Sequence, residues 1–220
     1  MEKIMKKLTK MSMVGLGLIM TTSIGNTAFA AEADGFKTTA DFTLEGGTED
    51  NKPTNPIIPI DPPTNHTGNL VIDAVSDFTF ENGKIESKTV TYNAVIPTDK
   101  TLGTQVTDMR GTGAGWDLTA KISDFENADK TKVLKGAQLL IPEGNVSTTS
   151  VSKDNPAISK SVTLNATEQS IFSASQDSGM GTWSTDFEGK GNHVSIVVPD
   201  GNYADSYSAE IVWSLQDAPK

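Results

Sequence analysis

Apolar and polar residues alternate with a period of two along much of the chain, and no segment keeps apolar residues at helical spacing over three turns. In WDLTAKI, residues 116–122, the residues Trp116 and Leu118 fall on one side of a predicted strand. In YSAEIVWSL, residues 207–215, Trp213 and Leu215 do the same. Successive side chains of a strand point to opposite faces, so each Trp-x-Leu pair turns both of its apolar side chains the same way.

This alternation predicts an all-β fold: a single antiparallel β-sandwich or barrel-like domain with long loops. Turn-forming clusters such as ENGK and PDGN separate the strands. Residues 125–136 have room for a helical turn, but the pattern there is weak. Besides 116–122 and 207–215, we predict the following strands: Thr38 to Leu44, Leu70 to Val75, Asp77 to Glu81, Thr89 to Ile96, Gln105 to Arg110, Gln138 to Pro142, Ser161 to Ala166, Gln169 to Ala174, Gly181 to Phe187 and Val194 to Val198.

The segment Gly46 to Gly68 differs from the rest of the chain because it holds five of the ten prolines. This composition is typical of an extended, polyproline-like connector. It fits either a domain boundary or a long internal loop. We favour the internal loop, since the one strand predicted upstream is too small to fold separately.

The first thirty residues have the pattern of a signal peptide. Four lysines precede the apolar run MSMVGLGLIM, which is too short to cross a bilayer, and Ala28-Phe29-Ala30 forms a cleavage site. We therefore predict a signal peptide at 1–30 and a secreted mature chain at 31–220, without a membrane span. That chain would keep 14 basic and 27 acidic residues, a net charge of about −13. Nucleic acid and anionic lipid are poor partners for such a charge.

Catalytic chemistry has few candidate residues in this sequence. The chain has no cysteine, which excludes thiolate metal sites and a cysteine nucleophile, and its two histidines, His66 and His193, lie in turn-rich surroundings. No recognised nucleophile, metalloprotease or phosphate-binding pattern occurs. We predict a protein that is not an enzyme, with no catalytic residues, no metal site and no cofactor.

The stretch TDMRGTGAGW, residues 107–116, contains the only arginine and three glycines at alternate positions. The glycines predict a hairpin turn that leads into the strand at Trp116. Asp108 and Arg110 lie two apart on a predicted strand and face the same way. They form either a structural charge pair, which we favour, or a site where the planar guanidinium binds a carboxylate.

Each tryptophan has two interpretations. Trp116 and Trp213 alternate with small and apolar residues, which favours the hydrophobic core. The alternative is a flat platform on which a sugar ring stacks. Trp183 has glycines close by and a looser pattern, so the sequence favours neither burial nor exposure there.

The chain resembles the WxL-domain family of Gram-positive surface proteins from about Lys37 to Pro219. The resemblance rests on GNLVIDAVSDFTFENGKI, QVTDMRGTGAGWDLTAKISDF, GMGTWSTDF, VSIVVPDG and YSAEIVWSLQDAP. It implies a domain that binds peptidoglycan non-covalently and holds its protein on the cell wall. It also implies partners, namely membrane-anchored proteins with the DUF916 module and LPxTG-anchored surface proteins.

By position, the family motif falls on Trp116, Leu118, Trp213 and Leu215, with Asp108, Arg110 and Gly111 leading into its first copy. The binding candidates are Trp116, Leu118, Trp213, Leu215, Asp108 and Arg110, together with Trp183. From this resemblance we expect a wall-bound protein that is a small subunit of a surface complex. The alternative is a docking module for the DUF916 partner, or a host-matrix adhesin, with Trp-x-Leu motifs that are mainly structural.

Overall fold

The computed structural model describes residues 38–151 and 153–217. The predicted signal peptide and the end of the predicted mature chain, residues 218–220, lie outside these ranges. The described residues form fourteen β-strands and no helix: β1 Leu70–Val75, β2 Val90–Asn93, β3 Gly103–Asp108, β4 Trp116–Ile122, β5 Glu126–Asn127, β6 Gln138–Ile141, β7 Asn145–Thr148, β8 Ile158–Ser159, β9 Val162–Thr163, β10 Gln169–Ala174, β11 Gly181–Asp186, β12 Ser195–Val198, β13 Tyr207–Ser208 and β14 Ile211–Asp217.

The strands form three four-stranded sheets and one two-stranded ribbon. Sheet I has the order β1-β3-β11-β7, sheet II the order β14-β4-β10-β8 and sheet III the order β2-β12-β6-β9, while β13 pairs with β5. Every pairing is antiparallel. Each sheet is open at both edges, so the described residues confirm the all-β sandwich and not the barrel-like alternative.

One face of sheet II supplies both parts of the hydrophobic core. Trp116 and Leu118, in the first half of β4, pack in a cluster with Val106 of sheet I. Ala120, in the second half of β4, packs in another cluster that includes Leu139 of sheet III. Sheets I and III therefore cover successive parts of the same face of sheet II.

A β-bulge in β10 lies where the two core clusters meet. The pairing of β10 with β4 shifts between Ser170 and Phe172, which leaves Ile171 as an extra residue. Ile171 and Phe172 are adjacent in sequence, yet both are fully buried, Ile171 in the sheet III cluster and Phe172 in the sheet I cluster. A bulge allows neighbouring side chains to point into the core, which regular alternation forbids.

The proline-rich segment, residues 46–68, packs along sheet I, and we call it the strap. The side chain of Gln105 on β3 donates from Nε2 to the carbonyl oxygens of Thr54 and Asn55, each at 3.3 Å, and its Oε1 accepts the Ile57 N–H at 2.8 Å. The Gln105 side chain thus satisfies three backbone groups of the strap that have no neighbouring strand to pair with. The strap buries a polar face of sheet I that would otherwise meet water.

The chain divides into two compact units, Met1–Phe42 and Thr43–Lys220. Residues 38–42, the described part of the first unit, form no strand. The strap and all fourteen strands lie in the second unit. The domain boundaries 31–220 remain a prediction.

Three strand predictions need correction. Thr38 to Leu44 forms no strand, since no neighbouring strand pairs with it. Asp77 to Glu81 makes one isolated bridge, from Phe80 to Ala94. Residues 207–215 form two strands rather than one, because β13 pairs with β5 whereas β14 pairs with β4.

The glycine stretch before Trp116 is a crossover and not the predicted hairpin turn. It leaves β3 in sheet I and enters β4 in sheet II, so the two strands it joins do not pair. Gly111, Gly113 and Gly115 all have a positive φ, between 66° and 76°. A Cβ on Gly115 would lie 2.4 Å from the carbonyl oxygen of Ala174. Glycine is required there because the backbone is left-handed and also closely packed.

The helical turn for which residues 125–136 had room is not formed. That segment holds the short strand β5 and turns, and an isolated bridge joins Glu126 to Val133. The strands β7 and β8 were also not predicted. These strands are four residues or fewer, and pairing rather than a sequence pattern defines them.

Candidate functional site

The first Trp-x-Leu lies inside the core. Trp116 and Leu118 have no exposed surface. The Trp116 indole N–H donates to the carbonyl oxygen of Gly179 at 3.0 Å, and its ring meets Phe172 edge-on with ring centroids 5.0 Å apart. Trp116 is therefore a core residue whose ring has no free face for a sugar in this conformation.

The second Trp-x-Leu lies beside the first. The strand β14 pairs with β4 so that Leu215 is opposite Leu118 and Trp213 is opposite Ala120. Trp213 and Leu215 are half-buried, and Trp213 packs against both core clusters. The two motif copies thus form one antiparallel pair of strands at the edge of sheet II.

Trp183 is also a core residue. It lies on β11 of sheet I with 2% of its surface exposed, and its indole N–H donates to the carbonyl oxygen of Met180 at 2.9 Å. The exposure that the sequence left undecided is therefore settled as burial. Trp116 and Trp183 thus have no ring open to the surface, whereas Trp213 is half-buried.

Arg110 connects the ends of sheets I and II. It lies two residues beyond the end of β3, not on the strand as predicted. Its Nε and Nη2 donate to the two carboxylate oxygens of Asp108 at 2.9 and 2.8 Å, and Nη2 also donates to the Gly115 carbonyl oxygen at 2.7 Å. Nη1 pairs with Asp217 at the end of β14.

This arrangement is the structural charge pair that we favoured. The Arg110 side chain is 9% exposed and that of Asp108 is fully buried. A forked guanidinium–carboxylate pair has fixed geometry as well as charge. Arg110 therefore holds the glycine crossover against both sheets, and its guanidinium is already occupied by protein groups.

A buried carboxylate lies between sheet I and the strap. Asp73 is fully buried. Its Oδ1 accepts the Thr54 N–H at 2.6 Å, and its Oδ2 accepts the Thr107 hydroxyl at 2.5 Å and the Gln105 amide at 3.0 Å. Burial raises the pKa of Asp73 above its usual value, and these hydrogen bonds offset part of the rise. The contacts are all internal, so Asp73 serves to hold the strap.

The described residues also form a groove of about 520 Å³, which we call the tyrosine groove. Two loops, residues 78–88 and 199–209, form its walls. All three tyrosines of the chain line it, Tyr92, Tyr203 and Tyr207, together with three phenylalanines. Its volume falls in the range of about 300–1,000 Å³ that is typical of small-ligand sites.

Sequence reasoning missed this groove because it considered only the tryptophans as aromatic candidates. The available signal was Tyr203, which follows the turn Asp200-Gly201-Asn202 and belongs to no alternating pattern. An aromatic residue in a polar turn has no core to enter. In the structure 68% of Tyr203 is exposed.

The described residues show no catalytic arrangement around either histidine. His66 accepts the Ile72 N–H at 3.0 Å through Nδ1, and His193 pairs with Glu188. Within residues 38–151 and 153–217, no group of three or more histidine, aspartate or glutamate side chains is placed to hold a metal ion. A helix long and apolar enough to cross a membrane is likewise absent from these residues.

The fold defines a β-sandwich module in which the first Trp-x-Leu belongs to the core and the second packs against it. A family model described as WxL domain surface cell wall-binding matches residues 31–219. The chain belongs to the WxL family, which is a wall-binding family rather than an enzyme family, and it is associated with the cell surface and the cell wall. No curated protein and no solved structure matches it.

Proposed function

We propose that this chain is exported by a signal peptide and binds peptidoglycan non-covalently on a Gram-positive cell, as a small subunit of a surface complex. The observation that carries the proposal is that the wall-binding family model spans residues 31–219. In this proposal the whole folded domain, rather than a short motif, attaches the protein to the cell wall. The protein acts by binding and does not catalyse a reaction.

The motif residues act in this proposal as a frame. Trp116 and Leu118 are buried, and Trp213 and Leu215 complete the same pair of strands. Side chains with no exposed surface contribute to binding by fixing the sheets and loops that meet the ligand. Asp108, Arg110 and Trp183 act in the same indirect way.

The net charge of the chain predicts how binding should depend on salt and pH. The predicted mature chain carries a net charge of about −13, so an anionic wall repels it at long range. Salt screens this repulsion, and low pH reduces it by protonating carboxylates. We therefore expect binding to strengthen at higher salt or lower pH.

The test is co-sedimentation of the mature protein, residues 31–220, with purified peptidoglycan in low and high salt. The protein should pellet, and more of it should pellet in high salt. Equal pelleting at all salt concentrations and pH values would contradict the electrostatic argument alone. Protein that stays in the supernatant under every condition would overturn the proposed function.

Docking to a DUF916 partner is the second candidate. The burial of Trp116 and Leu118 favours it, because a motif that serves the frame leaves wall affinity to other surfaces or to the complex. The same sedimentation with and without a DUF916 protein separates the two. Pelleting that requires the partner would assign wall affinity to the complex, and pelleting of the protein alone would assign it to this chain. An LPxTG-anchored protein added to the mixture extends the test to the third proposed component.

A further inference from the structure

The tyrosine groove has the chemistry of a glycan site. Tyr203 and Ile85 both line it with largely exposed side chains, and the Lys132 ammonium lies over one face of the Tyr203 ring, 5.7 Å from the ring centroid. Tyrosine offers an apolar face and a polar tip, which matches the C–H face and the hydroxyl groups of a sugar ring. The floor is apolar, since Phe78, Phe80 and Phe125 pack against the core below it.

The wall of the groove that carries Tyr203 is held in place by its own side chains. The Asn202 Oδ1 accepts the Lys135 N–H at 2.7 Å, and the Tyr207 hydroxyl donates to the Tyr203 carbonyl oxygen at 2.9 Å. The carboxylate of Asp205 accepts hydrogen bonds from the side chains of Lys132 at 2.7 Å and of Asn127 at 3.1 Å. A groove loop that is fixed in this way loses little conformational entropy when a ligand binds.

The charged residues of the groove favour some cell-wall polymers over others as ligands. The charged residues that line it are Glu81, Lys84, Glu86, Lys88, Asp200 and Asp205. Carboxylates outnumber ammonium groups by four to two, and Asp205 already pairs with Lys132. Carboxylates accept hydrogen bonds from sugar hydroxyls, whereas they repel phosphate-bearing polymers.

We propose that the tyrosine groove binds an uncharged segment of the peptidoglycan glycan strand, with one sugar ring stacked on Tyr203. This inference rests on the proposed wall-binding function and names the surface that performs it. It excludes the anionic wall polymers as ligands of this groove.

The first test compares three variants in co-sedimentation with peptidoglycan from which anionic polymers have been stripped. Tyr203→Ala removes the ring and should weaken binding about tenfold, the change expected for an aromatic hot-spot residue. Tyr203→Phe keeps the ring and should bind within about threefold of wild type. Ile158→Ala shortens an exposed apolar side chain on β8, outside the groove, and should bind as wild type does.

The second test observes the groove directly. The chain has three tyrosines and all three line the groove, so tyrosine-ring labelling for NMR gives signals from this site alone. Titration with a soluble N-acetylglucosamine oligomer should shift the Tyr203 ring signals, which Tyr203→Phe identifies. This readout does not depend on the folding of an alanine variant.

The outcomes separate this inference from the proposed function. If wild type pellets and Tyr203→Ala pellets equally well, the groove is not the site, although wall binding stands. If wild type pellets only with walls that keep their anionic polymers, the assigned ligand class is wrong. If wild type pellets with neither preparation, the proposed function and this inference both fail.

Discussion

Replacing Trp116 by alanine tests whether the first Trp-x-Leu is a structural element. The substitution removes a fully buried indole from the cluster between sheets I and II. It also removes the edge-on ring contact with Phe172 and the hydrogen bond to the Gly179 carbonyl oxygen. We expect a large loss of stability and no direct loss of ligand contact.

The magnitude follows from these contacts. Emptying a buried tryptophan site costs about 3–5 kcal/mol, and leaving the buried Gly179 carbonyl without its donor adds about 1 kcal/mol or more. The total is a large share of the 5–15 kcal/mol, roughly, by which a domain is stable. At about 2–4 °C per kcal/mol for a domain of this size, a loss of 4 kcal/mol lowers Tm by about 8–16 °C.

The assay is urea unfolding followed by circular dichroism and by the fluorescence of the remaining tryptophans. Val212→Ala is the matched control, because Val212 lies on the outer face of β14 with 39% of its surface exposed. We expect that control to stay within about 0.5 kcal/mol of wild type. If Trp116→Ala leaves too little folded protein, Trp116→Phe keeps an aromatic ring and reports the lost hydrogen bond and the smaller volume.

A loss below about 1 kcal/mol in Trp116→Ala, with an unchanged slope against urea, would refute the assignment of the indole to the core. Wall binding gives an independent readout. Well below its Tm, the variant should pellet with peptidoglycan as wild type does. A stable variant that no longer pellets would make Trp116 a contact residue instead.

Three further predictions concern the residues around the motif. Arg110→Lys cannot form the forked pair with the buried Asp108 and should cost about 2–4 kcal/mol in urea unfolding. Asp217→Asn, at a side chain that is 75% exposed, should cost less than about 1 kcal/mol, and equal effects of the two substitutions would contradict a structural role for the buried Arg110–Asp108 pair. Gly115→Ala should cost more than about 2 kcal/mol and Gly111→Ala about 1 kcal/mol, because both have φ near 70° but only Gly115 lacks space for a Cβ; equal melting temperatures would show that crowding is unimportant. Burial raises the pKa of Asp73 in the folded state, so the contribution of its protonated form to stability is complete below pH about 4 and is lost as the pH rises through the folded pKa. The free energy of unfolding of wild type minus that of Asp73→Asn should therefore fall as the pH rises over that window. A difference that stays constant with pH would contradict the raised pKa.

Several elements follow from the sequence with the correct bounds. The strands Leu70–Val75, Trp116–Ile122 and Gln169–Ala174 were predicted at the residues where they occur. Local alternation is sufficient in such cases, because a strand with one face in the core must repeat apolar residues at every second position. The family resemblance, which depends on motifs along the whole chain, is also confirmed.

The sequence by itself thus determined the all-β class, which residues share a strand face, and the family. Only the tertiary structure decided what each face meets: sheet II packs Trp116 against sheet I and Ala120 against sheet III, although both lie on the same face of β4. It also decided that the three glycines cross between sheets, and that segments far apart in sequence bring the tyrosines into one groove. Alternation is a local property of the chain, whereas strand pairing and sheet packing depend on contacts between distant residues, so the pattern alone cannot specify them.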